Sequence, residues 1–455
     1  MKDSLIKEEK SITRAEHRMY MLFDKGTFKI RKSVKTEGLI SGEGKINGRT
    51  VLAVSQDYTV KGGSVTRAQA EEMCSMLAQA QTLGVPFVFM LESAGARIQD
   101  GINGLEGYGM LFNLISSASG KIPILALVMG ICAGGAAYTA ALCDIVIINN
   151  ETGKLFLTGS KVLKKATGEV STDVDLGAAH IHTRQSGVAH FGEDSDELCI
   201  ERAKDILSYL PPNCTEKPPI SNFYREVPFG DGVPAEFKKS YDIHSLIDSL
   251  ADEGTFLEQQ MYYASNIVTG WARINGISVG IIANQPKVLC GALDMNAACK
   301  ASRFINFCDC FNIPLITLVD TPGFFPGKEQ EQNGILRHGA KLLAAYSTAT
   351  VPKITVIIRK AIGGAYIAMN SNGLGADSVL AWDIAKIAVV DDSSGSEILK
   401  KTVNVRCESD YALESGGVSQ TIQPAETRGK IKKLLDALSN KTFPSTEKKH
   451  SNVPQ

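Results

Sequence analysis

Two glycine pairs carry the most specific chemistry in this sequence. In residues 351–369 (VPKITVIIRKAIGGAYIAM) an apolar run from Ile354 to Ile358 reads as a buried strand. The run breaks at Arg359-Lys360, and Gly363-Gly364-Ala365-Tyr366 then opens a helix. Paired glycines let the backbone turn sharply and leave their amide N–H groups unshielded. Amides in a first helical turn have no partner within the helix and sit at the positive end of its dipole. Such amides suit an oxyanion, either a thioester enolate or the oxygen of a polarised carbonyl. Residues 122–138 (IPILALVMGICAGGAAY) follow the same grammar, with Gly134-Gly135-Ala136 entering a helix of small residues.

The two stretches belong to a longer repeat. Pro123 and Pro352 lie 229 residues apart, as do Gly134 and Gly363. Asn47-Gly48 recurs at Asn275-Gly276, Pro86 at Pro314, and Glu92 of LESAGAR at Asp320 of LVDTPGF, each with an offset of 228. The chain therefore reads as two copies of one fold, each supplying one Gly-Gly turn. One such turn alone is equally served by close helix–sheet packing; a matched pair fits a transfer reaction in which charge develops on both donor and acceptor.

The elements that position these turns follow from periodicity. GEGKINGRTVLAVSQDYTV reads as paired strands about the Asn47-Gly48 turn. Gly62-Gly63-Ser64 is expected to cap a helix through AQAEEMCSMLAQAQTLG, and VPFVFML is a buried strand with ESAGAR at its carboxyl end. The second copy runs through WARINGISVGIIAN, the helix MNAACKASRFINFCDCF, the strand IPLITLVD, the loop TPGFFPGKEQEQNG and the helix ILRHGAKLLAAYS. Strands alternating with helices of about 10–15 residues imply an α/β class built of βαβ units. The expected division is a helical lead-in at 1–35, domains at 36–225 and 226–440, and a frayed tail at 441–455. The proline-rich stretch 211–241 keeps neither period and reads as a linker.

Composition narrows the class. At 455 residues the chain fits two domains of roughly 200 residues. A net charge of -1 gives no footprint for nucleic acid or an anionic membrane. Apolar runs all fall short of the about 18 residues that span a bilayer. The amino terminus is charged, and ten scattered cysteines form no CxxC, so a cytoplasmic protein with reduced thiols is expected. No GxSxG, GxxxxGK[ST] or HExxH occurs. His180 and His182 have no acidic partner at a fixed offset and are read as structural, so no metal is expected. His338 serves packing or capping as readily as catalysis. Glu92 and Asp320 stand at strand ends, where α/β folds place ligands, or cap the turns that follow.

The sequence resembles the carboxyltransferase β-subunits of biotin-dependent acyl-CoA carboxylases and decarboxylases, of propionyl-CoA carboxylase type, whose two domains share the crotonase fold. The resemblance runs from about Gly38 to Gly395 and resumes at IQPAETRGKIKKLL. It rests on SQDYTVKGGS, ESAGARIQDG, CAGGAAY, QSGVAH, ANQP, VDTPGFFPG, GILRHGAKLLAAYSTATVPK and RKAIGGAY. It implies two tandem crotonase-like domains, acyl-CoA bound against the first, and carboxybiotin against the second domain of a neighbouring subunit. The implied oxyanion pairs are Gly134 with Gly135 and Gly364 with Ala365. The acyl-CoA side falls on Ala94, Gly95, Ala96, Arg97, Tyr138 and Ile367, the biotin side on Gly323, Phe324, Gly363 and Tyr366. Biotin and its carboxylation are expected from a separate carrier protein and a biotin carboxylase subunit, and a homohexamer is implied.

Several positions depart from the family pattern. Ala94 replaces a glycine, Ser160 and Asp383 replace prolines, and Ile367 stands where propionyl-specific members carry Asp. The chain is also shorter between Ile398 and Thr421. The leading expectation is carboxyl transfer between carboxybiotin and a short-chain acyl-CoA. Its rivals are the carboxyltransferase subunit of a decarboxylase linked to a sodium pump, a biotin-independent acyl-CoA hydratase or hydrolase, and a non-catalytic assembly paralogue.

Overall fold

The computed structural model describes residues 13–34, 38–222, 224–230, 232–390 and 409–441. Most of the expected tail and residues 398–408 of the shortened region lie outside them. The chain divides into two compact units, Met1–Glu216 and Lys217–Gln455.

The first unit is an eight-stranded sheet. Its strands are β1 (Lys29–Val34), β2 (Leu39–Ile46), β3 (Arg49–Gln56), β4 (Phe87–Ser93), β5 (Ile124–Ala133), β6 (Ile145–Asn149), β7 (Lys154–Phe156) and β8 (Phe191–Glu193). They run in the order β1-β2-β3-β4-β5-β6-β8, and β7 pairs with the carboxyl end of β5. The second unit has β9 (Leu257–Gln259), β10 (Ile267–Ile274), β11 (Ile277–Asn284), β12 (Leu315–Thr321), β13 (Lys353–Ile362), β14 (Ser378–Trp382), β15 (Lys386–Ala388) and β16 (Gln420–Ile422). Read from the opposite edge its order is the same, and β15 pairs with the end of β13 as β7 does with β5. The duplication is thus present strand by strand.

Local sequence accounts for the elements. Asn47-Gly48 and Asn275-Gly276 both take positive φ, as a two-residue hairpin turn demands, and set the antiparallel registers of β2 with β3 and β10 with β11. The central strands β4 and β12 are buried at every position, which is why β4 reads as an unbroken apolar run and β12 as one interrupted only by Thr317, with no alternation. Each unit has its own core. Phe87, Phe89 and Leu111 belong to the first; Ile354, Val356 and Trp382 belong to the second. Each such aliphatic or aromatic side chain stabilises its unit by about 1.5–3 kcal/mol relative to exposure.

Three expectations need correction. Gly62-Gly63-Ser64 does not cap the helix Arg67–Leu83. Lys61–Gly63 forms a separate 3-10 turn, and Thr66 is the cap, in a reciprocal capping box with Gln69. The lead-in is not only helical. Helix Arg14–Leu22 buries Met19 and Leu22, with Phe23 buried just beyond it as expected, but β1 follows and joins the sheet through β2. The stretch 211–241 is not loose either. The Ser221 amide donates to the Gly276 carbonyl, Arg273 to that of Pro219, and the Arg359 guanidinium to those of Pro234, Glu236 and Lys239.

Candidate active site

Each Gly-Gly turn sits where a central strand hands over to a short helix. β5 ends at Gly134 (φ 57°, ψ -120°) and the helix Gly135–Leu142 begins; β13 ends at Gly363 (φ 62°, ψ -148°) and the helix Gly364–Ala368 begins. A side chain is strained at such a φ, so glycine is required at both bends. Ala136, Ala137 and Ala140 are small enough to bury the first helix against its surroundings.

The hydrogen bonds decide which amides are free. The Gly134 N–H donates to the Phe156 carbonyl at 3.1 Å, and the Gly363 N–H to the Ala388 carbonyl at 2.8 Å. These acceptors lie on or at the ends of β7 and β15. The amides of Ala137 and Tyr138 turn back to the Gly134 carbonyl, and that of Tyr366 to the Gly363 carbonyl. Gly135 with Ala136, and Gly364 with Ala365, are left with no acceptor among the described residues. In the first copy β7 occupies the Gly134 amide, so the unbonded amides there are Gly135 and Ala136; in the second they are Gly364 and Ala365.

The loops beside the pairs are held in place by backbone. In the first unit Ala94 donates to the Gly62 carbonyl, Val65 to that of Gly95 and Arg97 to that of Val65, each at 2.9 Å. Ala96 bridges to Val65, and a Cβ on Gly95 would come within 2.9 Å of the Ala133 carbonyl. The Arg97 side chain is 8 % exposed and donates to the Ser64 hydroxyl and carbonyl, so it braces this loop rather than offering its charge to a ligand. Exposed Tyr138 lies edge-on to Phe112. In the second unit the Gly323 carbonyl accepts from Leu293, and the Phe324 ring lies against Gly339 and Gly364. The Tyr366 hydroxyl donates to the Gly417 carbonyl at 3.1 Å, and burial raises its pKa. Ile367, 47 % exposed, stands on the helix that begins at the second pair.

The carboxylates at the strand ends are not free for proton transfer. Glu92 pairs with the buried Arg18 at 2.8 Å, and Arg18 also contacts Asp196 and the Gln56 and Met129 carbonyls. Asp320 pairs with buried Arg359 at 2.8 Å and accepts from the Lys360 amide. His182 is held by the Leu155 carbonyl and the Ser186 hydroxyl, and burial lowers its pKa. Among the described residues no group of three or more His, Cys, Asp or Glu could hold a metal ion, and no helix is long and apolar enough to cross a membrane. An open cavity of about 660 Å³ is lined by residues between Gly232 and Tyr241 and includes neither amide pair.

Sequence reasoning missed Ala136, Arg18 and Tyr108. Ala136 was recoverable from the repeat, since Ala365 lies 229 residues on. Tyr108 covers Gly135, where any Cβ would fall 2.6 Å from its ring. Nothing in the sequence ties Tyr108 or Arg18 to these positions.

Residues 13–411 match the carboxyl transferase domain family. The chain belongs to this family. It is 44% identical to the methylmalonyl-CoA carboxyltransferase 12S subunit of Propionibacterium freudenreichii subsp. shermanii, over 92% of this chain and 84% of that one. It is 43% identical to the methylmalonyl-CoA decarboxylase subunit alpha of Veillonella parvula, over 93% and 86%. The transcarboxylase 12S crystal structure, a hexamer with methylmalonyl-coenzyme A and methylmalonic acid bound, superposes with a TM-score of 0.93 at 42% identity. That match covers 99% of this chain and 94% of that one. As a carboxyl transferase the chain carries its two tandem crotonase-like domains with a free amide pair in each.

Proposed function

We infer that this chain is the carboxyltransferase subunit that moves a carboxyl group between carboxybiotin, brought on a separate carrier, and the α-carbon of a short-chain acyl-CoA. The observation that carries this reading is the matched pair of unoccupied amide sites, Gly135 with Ala136 and Gly364 with Ala365. Two charges must be stabilised in such a transfer, one on the thioester oxygen as the enolate forms and one on the ureido oxygen of biotin. Preorganised N–H donors serve both without carrying a proton themselves. Carboxybiotin, when bound, would supply the carboxyl group, and the ring nitrogen that has released it would be free to accept the α-proton. That role fits a site whose strand-end carboxylates are held in ion pairs. Gly135 and Ala136 are assigned to the thioester, Gly364 and Ala365 to the ureido oxygen.

Ala94, Gly95, Ala96 and Tyr138 are proposed to line the acyl-CoA side, with Arg97 acting through the loop it braces. Gly323, Phe324, Gly363 and Tyr366 shape the biotin side. Ile367 gives the acyl pocket an apolar wall, and a methylene-sized change there alters discrimination by about 1–3 kcal/mol. The partners are a biotin carboxyl carrier and a biotin carboxylase, and the chain assembles as a homohexamer. Exposed apolar residues support the assembly: Ile98, Ile102 and Leu105 follow the 94–97 loop, and Leu336 and Val389 flank the second site in sequence.

The test combines purified protein, a chemically carboxylated biotin carrier and acetyl-, propionyl- and butyryl-CoA, for wild type and Ile367→Asp. Formation of malonyl-type products without ATP is expected, with the acyl preference shifted in the variant. No product from any of the three thioesters overturns the assignment, and unchanged ratios in Ile367→Asp remove residue 367 from the acyl pocket.

A further inference from the structure

The helices Met295–Cys310 and Ile335–Thr348 bring together a thiol, an imidazole and a guanidinium that belong to neither amide pair. Cys299 Sγ lies 2.9 Å from His338 Nδ1, and His338 Nε2 lies 3.3 Å from a terminal nitrogen of Arg337. A guanidinium can only donate, so Nε2 accepts and the neutral ring carries its hydrogen on Nδ1, aimed at the sulfur. Burial raises the pKa of this thiol, Lys341 and Arg337 pull the other way, and Asp294 adds to the rise. Burial prevails and the thiol's pKa is raised; what the geometry supplies is an N–H donor on the sulfur, with the Arg337 guanidinium on the other nitrogen of the same ring. Cys299 is partly exposed, so a small reagent can reach it, and Arg337 is exposed beside it.

We propose that Cys299 is a nucleophilic modification site for small soft electrophiles, anionic ones above all, with His338 and Arg337 as its positioning residues. With a haloacetate the sulfur attacks the carbon bearing the halogen. The C–S bond forms, the carbon–halogen bond breaks, halide leaves and the thiol proton passes to solvent. His338 keeps its Nδ1 hydrogen and donates to sulfur throughout, while Arg337 and Lys341 attract the carboxylate of the reagent. Cys290 and Cys310 are the natural comparators, because both are more exposed than Cys299. Exposure alone makes them react first.

The test uses the full chain with limiting iodoacetamide or iodoacetate, each adduct quantified by peptide mass spectrometry. Cys299 is expected to react about fivefold faster than Cys290 and Cys310, with an iodoacetate-to-iodoacetamide ratio about threefold above theirs. His338→Leu should lower the Cys299 rate, and Arg337→Gln should lower its iodoacetate preference while Cys290 and Cys310 keep their rates. The buried Cys132, Cys143, Cys199 and Cys308 stay unlabelled in a folded variant and so report folding in the same molecule, and the wild-type comparison stands without either variant. A Cys299 rate at or below that of Cys290 overturns the proposal, as does an iodoacetate preference that survives Arg337→Gln in folded protein.

Discussion

Gly364 offers a direct way to test an amide without touching a side chain. It is the first residue of its helix, where proline is tolerated, and its N–H donates to no acceptor among the described residues. Gly364→Pro should keep the fold and remove one donor, lowering kcat by about 10²–10³-fold. Gly364→Ala retains the N–H, and the nearest atom to its added methyl is 3.8 Å away on Phe324, so it should stay within a few-fold of wild type, on the order of a surface change. Single-turnover rates for both variants check this; equal rates would remove Gly364 from the chemistry. The glycine pairs were legible from the sequence because composition alone exposes their amides. Which two amides stay free in the first copy was legible only by carrying Gly364 and Ala365 back through the 229-residue offset; the cause was not. That cause is the Phe156 carbonyl, which reaches Gly134 only once β7 has folded back beside β5.

Elements that look equivalent between the copies are held by different means. Position 359 on β13 supplies the arginine for Asp320, whereas its counterpart Gly130 on β5 leaves room for Glu92, and the arginine comes from the amino-terminal helix as Arg18. Removing one partner of a buried pair strands the other charge and costs about 3–5 kcal/mol. Arg359→Met is expected to lose about that much and to free the carbonyls of 234–239, read as a lower urea midpoint and new proteolysis within 224–241. Unchanged proteolysis would mean that the segment is held by other contacts. The stretch reads as a linker because backbone carbonyls held by one arginine, more than a hundred residues away, leave no periodic pattern.

The helix His244–Leu250 carries a second electrostatic clamp, and its sign can be worked out. His244 donates to Glu258 on β9 and contacts Asp242, and these partners raise its pKa to about 9. Because the folded value lies above the ordinary 6.5, the stabilisation is complete below that value and disappears as pH rises through about 9. Asp242 is depressed: burial would raise it, but hydrogen bonds from Gln285, His244 and Lys287 prevail, so its contribution is lost in acid. The gap in Tm between wild type and His244→Gln should narrow steadily from pH 6.5 to about 9. A gap that stays constant across that range would show that folding does not raise the pKa of this histidine.

At the scale of the whole molecule, the 228–229-residue offset made the duplication legible, because strand ends and Asn-Gly turns cannot shift without changing register, and the alternation of strands with helices gave the α/β class. The expected carrier and biotin carboxylase rest on family resemblance alone. Exposed Ile98, Ile102 and Leu336 are expected to be covered in solution, and sedimentation at low micromolar concentration should find a hexamer. A stable, active monomer would contradict that assembly.

The ring over Gly135 has a consequence for how the two halves can diverge. Tyr108 leaves no space for even a methyl group there, whereas Gly364 has open room toward Phe324. One half of this duplicated chain is therefore frozen to drift at its amide pair, and the other is permissive. A saturation library at both positions should recover glycine alone at 135 and several small residues at 364, which makes the second half the one with room to vary.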